Sequence, residues 1–247
     1  MIGRYLQNLI QLICAPARGW EDLESAEVQT FRRFRQSHPD HQTGTNEASG
    51  TGEATTSDAA DAYADWLVGY TRSTFTRCFL PAIGVCSLSW FVRLLYADEI
   101  GMTMADRSLL ALQHALVSFV GMLLAALLSQ SVFLTTLPRL LSPSTIEWGA
   151  WKGRALNMTM YCITFLGMVT LISNVVKVRV ALLEFLPFYV VFIIWRGCRY
   201  LEVPMRTAGL FMILAAACIL GLPYLLSFLL NAVANACLLY TSPSPRD

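Results

Sequence analysis

Five apolar runs occupy residues 78–96, 109–137, 155–176, 180–195 and 207–236. A helix of about 20 apolar residues crosses the hydrocarbon of a bilayer. In that medium backbone N–H and C=O groups find no water, so a spanning segment must satisfy them internally, as a helix does. Only 14% of the 247 residues are charged and 55% are hydrophobic, whereas a soluble domain carries about 25% charged residues. The pattern predicts an all-α fold: a polytopic membrane helix bundle of five transmembrane helices over 78–236. The second run exceeds what a bilayer needs and is expected to tilt or to begin in the interface. The fourth run is the shortest, and its tiny link to the third predicts a tight helical hairpin.

Residues 1–35 precede the bundle as two amphipathic segments. Ile2, Tyr5, Leu6, Leu9, Ile10 and Ile13 fall on one helical face, and Arg4, Gln7, Asn8 and Gln11 on or near the other. Polar residues interrupt this run too often for a spanning helix, so it is expected to lie in the membrane interface. A second helix is expected from Pro16, a residue suited to a first helical position, with Glu21, Asp22 and Glu24 early and Arg32, Arg33 and Arg35 late. Trp20 is expected to anchor it in the interface. Residues 36–62 are rich in Gly, Ser, Thr and acids and bury too little apolar area to offset ordering, which predicts a disordered linker. Residues 63–77 form a juxtamembrane lead-in whose Tyr63, Trp66 and Tyr70 resemble an interfacial aromatic belt.

Lys and Arg at the ends of the runs set orientation. Arg72, Arg77, Arg139, Lys152, Arg154, Arg196, Arg199 and Arg206 lie on the amino-terminal side, and Arg93, Arg107, Lys177 and Arg179 on the other. Eight cations against four place the amino terminus in the cytoplasm, and five crossings place the carboxyl end outside. The last residues, 237–247, "CLLYTSPSPRD", read as the translation of a transposase adapter used in DNA sequencing libraries, so they are expected not to be native.

Chemistry is sparse. A net charge of +1 argues against nucleic acid as a partner. The seven cysteines include no Cys-x-x-Cys pair and sit mostly in apolar runs, as small buried hydrophobes do. His38 and His41 have the spacing of weak metal ligands in a solvated linker. No zinc, nucleophile-elbow or phosphate-loop motif occurs. The expectation is therefore no enzyme, with no catalytic, cofactor-binding or metal residue.

Polar groups inside the runs are functional candidates by default. Glu184, beside Lys177 and Arg179, suits either an interfacial acid at a helix start or an ion gate. His114 suits a helix-packing histidine or a proton relay. Gln130, Asn157 and Asn174 suit hydrogen bonds across helices. Pro81, Pro187 and Pro223 predict kinks. In "YVVFIIWRGCRYLEV", Trp195 with Arg196 and Arg199 suits an interfacial anchor or a cytoplasmic docking and anionic-lipid surface.

"APARGWEDLE" near the start, "FLPAIGVCSLSWF" in the first run, "YVVFIIWRG" in the fourth and "GLPYLL" in the fifth together carry a family resemblance. The chain resembles the Yip-domain membrane proteins (Ypt/Rab-interacting proteins) in their Bacteroidetes-type bacterial form. That resemblance implies five helices, a cytoplasmic amino terminus and an inner-membrane location. The Asp-Leu-Tyr-Gly-Pro motif of eukaryotic members is absent, so Rab-dependent trafficking is not implied. The functional expectation is a non-enzymatic scaffold or membrane-organising protein that engages membrane lipid and protein partners at the cytoplasmic face. The alternative is a small transporter or channel component.

Overall fold

A computed structural model describes residues 2–37, 54–95, 103–140, 148–176 and 184–241. Among them the fold is all-helical. In chain order the helices are α1 (Ile2–Cys14), α2 (Pro16–Ser37), α3 (Ala54–Thr74), α4 (Leu80–Leu95), α5 (Met104–Leu140), α6 (Trp148–Val175), α7 (Tyr189–Tyr200), α8 (Met205–Ala216) and α9 (Leu222–Thr241). A π-helical turn, Phe75–Phe79, joins α3 to α4, and another, Ala217–Gly221, joins α8 to α9.

Four helical stretches among the described residues are long and apolar enough to cross a membrane: Asp61–Leu94, Met104–Thr135, Ala150–Val175 and Met205–Ala234. They correspond to the first, second, third and fifth apolar runs. The fourth run differs. Residues 180–183 lie outside the described residues, and the rest of the run holds a 3-10 turn, Leu186–Phe188, and the beginning of α7, a helix of 12 residues. At 1.5 Å per residue α7 is about 18 Å long, short of a hydrocarbon core of about 30 Å. Pro187 sits within the 3-10 turn, where it interrupts helix formation.

Side-chain registers fix how the long helices run. Leu67 meets Gly153, and Ser89 accepts a hydrogen bond from Asn174, so α3–α4 and α6 are parallel. Gln130 donates to the Lys152 carbonyl while Gly167 lies on Met122, so α5 is antiparallel to them. Phe133 meets Phe211, and Gly121 meets Ser227, so α8–α9 runs against α5 and with α6. Two consecutive long helices, α6 and α8–α9, therefore point the same way. The chain between them has to return, and α7 does so: Tyr189 stands beside Phe165, and Tyr200 at its other end beside Arg154.

α6 is the hub, with 72% of its span buried inside the bundle, whereas α8–α9 buries 17% and leaves Ile213, Phe228 and Val233 outward. Gln130, Asn157 and Asn174 all bond across helices, as their placement in apolar runs led one to expect. Arg93 donates to Asn174 and lies over the Trp90 ring. Pro81 and Pro223 each follow a π turn. The wider turn, with Leu80 N–H reaching back to the Phe75 carbonyl, reroutes the hydrogen bonds that a proline disrupts.

Two amino-terminal expectations change. α3 starts at Ala54 and α2 ends at Ser37, so helix occupies both edges of the segment read as linker; residues 38–53, with His38 and His41, lie outside the described residues. Ala is the strongest helix former, and "AADAYAD" supplies four of them. The broad apolar face of α1 also divides. Tyr5, Leu9 and Leu12 are buried in the bundle, while Ile2, Leu6 and Ile10 are exposed.

Candidate functional site

The most heavily buried charge in the described structure is Glu27, 2% exposed, where α1, α2, α6 and α7 converge. Helical spacing builds the site. Trp20, Leu23 and Glu27 recur at three and four residues and share one face of α2. Arg154, Asn157, Tyr161 and Thr164 do the same on α6. α7 contributes its last residue, Tyr200, and α1 contributes Tyr5.

Aromatic rings form a continuous path through the site. Tyr5 stacks on Tyr161 with centroids 4.6 Å apart, and Trp20 meets Tyr161 edge-on at 6.4 Å. Trp20 also stacks on Tyr200 at 5.0 Å, and the Arg154 guanidinium lies 5.5 Å from the Tyr200 ring centre. Such pairs add about 0.5–1.5 kcal/mol each beyond area burial. The polar tips are satisfied as well. Trp20 Nε1 donates to the Ile193 carbonyl at 3.1 Å, Tyr5 pairs with Thr164 at 2.8 Å, and Tyr189 donates to the Ile13 carbonyl at 2.9 Å. The expectation that Trp20 lies in the interface is thus corrected. It is 2% exposed and serves as the core of the joint, because α7 supplies a carbonyl for its N–H.

Glu27 Oε1 accepts from Tyr200 Oη and from Asn157 Nδ2, both at 2.7 Å. Its Oε2 is buried with no hydrogen-bond partner. Burial is the main reason its carboxyl is pushed up to about 7; the hydrogen bonds from Tyr200 and Asn157 and the nearby Arg154 charge pull the other way. Arg154 is anchored by Glu24 at 3.1 Å, by Glu202 and by the Tyr200 carbonyl at 3.2 Å. Glu202 has φ of 54°, a left-handed conformation that glycine usually takes. It closes α7: Glu202 N–H bonds Arg199 O and Val203 N–H bonds Cys198 O, the paired pattern of a Schellman cap. The Arg154 ion pair helps hold a non-glycine residue there.

This arrangement is a latch. It fastens the two amino-terminal helices onto α6 and α7, and it holds one carboxyl whose proton is exchangeable near neutral pH. Around it lies a cleft of about 770 Å³ between α2, α7 and the start of α8. Trp195, Arg196 and Arg199 line it. Trp195 is 52% exposed, and Arg196 lies over its ring at 4.7 Å and over Phe192 at 5.5 Å. Arg199 reaches Glu21 at 3.8 Å, a loose and exposed pair.

The other two candidates stand apart. Glu184 is exposed ahead of the 3-10 turn, and its neighbours Lys177 and Arg179 lie outside the described residues. His114 lies tilted against the Trp90 ring at 5.1 Å and its Nδ1 lies 2.9 Å from the Leu110 carbonyl. Sequence reasoning singled out Asn157 but missed its partners Glu27 and Tyr200 and the role of Arg154 beside them. The available signal was the polar stripe at 154, 157, 161 and 164 inside an otherwise apolar helix. Among the described residues no group of three His, Cys, Asp or Glu side chains is arranged to hold a metal. Comparison with family models, curated proteins and solved structures returns no match.

Proposed function

We propose that this chain is a Yip-like, multi-pass protein of the bacterial inner membrane, acting as a non-enzymatic scaffold with its amino terminus in the cytoplasm. The observation that carries the reading is the latch, which fixes α1 and α2 against the bundle beside the exposed Trp195, Arg196 and Arg199. Aromatic and arginine side chains suit the membrane interface and its anionic groups, and a rigid mount makes them a defined surface. The common direction of α6 and α8–α9 supports five passes, with the fourth made by the chain between them, which includes α7. The "APARGWEDLE" stretch of the family resemblance supplies Trp20, Glu21 and Glu24 to this region.

Photo-crosslinking from position 199 of the full chain in its native membrane tests the reading. A discrete protein adduct is expected, and Trp20→Ala, which empties the joint, is expected to abolish it. Solute or ion flux through the reconstituted protein that falls with His114→Ala or Glu184→Gln would overturn the scaffold in favour of a small transporter.

A further inference from the structure

The cleft between α2, α7 and α8 is walled by charges of both signs. Glu21, Glu24 and Glu202 lie on it, as do Arg196 and Arg199. Glu24 and Glu202 are engaged by Arg154 from behind. Counting Arg154, the wall is electrically neutral, three carboxylates against three guanidiniums. Two groups keep spare capacity. Arg196 is held by ring contacts with Trp195 and Phe192 and has no ion pair among the described residues. Glu21 has only its loose 3.8 Å approach to Arg199.

The mouth of the cleft is apolar. Met205 on its rim is 95% exposed, Trp195 is half exposed, and Leu210 and Ile213 continue outward along α8, the helix that opens a candidate span. A ligand seated here meets separated positive and negative groups inside and a hydrocarbon-facing surface outside. That combination matches an amphiphile whose head carries both a phosphate and an amine.

Resting on the membrane-scaffold reading, the geometry points to a binding site for a zwitterionic aminophospholipid, phosphatidylethanolamine in chemical class. Its phosphate pairs with Arg196 and Arg199, its primary ammonium with Glu21, and its acyl chains run over Trp195 and Met205. Guanidinium groups match phosphate oxygens with two parallel donors. A primary ammonium offers three N–H donors to carboxylates, which a quaternary choline lacks. An anionic headgroup without an amine leaves Glu21 facing it with no cation beyond its loose 3.8 Å approach to Arg199.

The test uses the full chain in vesicles containing equal parts of phosphatidylethanolamine, phosphatidylcholine and phosphatidylglycerol, with retained lipid identified by native mass spectrometry. Phosphatidylethanolamine is expected to be retained about threefold to fivefold over each competitor, the ratio one exposed ion pair supplies. Arg196→Ala is expected to lower total lipid retention, and Glu21→Gln to erase the preference for the amine over the anion. Both side chains are exposed, so helical circular dichroism should stay unchanged. Equal retention of the choline lipid, or preference for phosphatidylglycerol that ignores Glu21→Gln, overturns the inference. No lipid preference in the unsubstituted protein, with the position-199 protein adduct present, refutes this site alone; no adduct, with the preference present, refutes the scaffold alone.

Discussion

Glu27 and Tyr200 lie 173 residues apart and share a 2.7 Å hydrogen bond inside the protein. The phenol donates to Oε1 while Asn157 donates to the same oxygen. Removing the acceptor therefore strands two buried donors at once. Glu27→Leu is expected to destabilise docking of α1 and α2 by about 1–3 kcal/mol, the cost of unsatisfied buried groups. Glu27→Gln keeps a carbonyl acceptor and is expected to lose less. Hydrogen exchange along residues 2–37, read by mass spectrometry, orders the two variants.

The Glu27 carboxyl also makes the latch sensitive to pH. Its folded value of about 7 exceeds the reference of 4.5, so the docked state binds the proton more tightly. Stability is then fully present below about pH 4.5 and falls as pH rises towards 7. The upper limit is on the order of 3 kcal/mol at 1.36 kcal/mol per unit. Exchange protection of α2 in the wild type is expected to be greater at about pH 5 than at about pH 8, and Glu27→Gln is expected to lose this dependence.

Two glycines sit where backbones and rings come too close for a side chain. A Cβ on Gly19 would stand 2.9 Å from the Leu12 backbone, and one on Gly197 would stand 3.2 Å from the Trp20 ring. Gly19→Ala is expected to cost about 1–3 kcal/mol, as overpacking does, with Gly197→Ala at the lower end because side chains can shift. Gly69→Ala, in open space within α3, is expected to be neutral or slightly stabilising. Thermal unfolding in detergent compares the three.

Glu202 combines an unfavourable backbone with a favourable charge. Glu202→Gly is expected to relieve about 1 kcal/mol of left-handed strain while losing the Arg154 pair. Glu202→Ala loses the pair and keeps the strain. Glu202→Gly should therefore unfold at a higher temperature than Glu202→Ala. The reverse order would show that the backbone is not strained there.

Much of the bundle was legible because its determinants are local. Apolar runs of sufficient length appear as helices wherever they are described, and Pro16 begins α2 as a first-turn proline should. Asn157 and Asn174 were recognisable as cross-helix donors because an amide in an apolar run has to find a partner. The fourth run was legible only in part. Its hydropathy resembles a span, but Pro187 breaks it and α7 is too short to cross alone. Tyr63, Trp66 and Tyr70 looked like a belt. Beyond that pattern, Trp66 stacks with Tyr70 at 5.1 Å and packs on Phe31 of α2 at 5.3 Å, a contact no local spacing shows.

Local pattern was enough to identify the helical character of the chain and the approximate place of the apolar stretches long enough to cross a membrane. Those follow from hydropathy and from proline and glycine chemistry, which act over a few residues. That Trp20 is core, that Glu27 is buried and that Arg154 serves two carboxylates emerges from long-range packing. Each depends on partners more than 40 residues away. A glutamate in an amphipathic helix is ordinarily solvated. Here the rings of Trp20 and Tyr200 exclude water, and that burial, absent from any local pattern, sets its proton affinity.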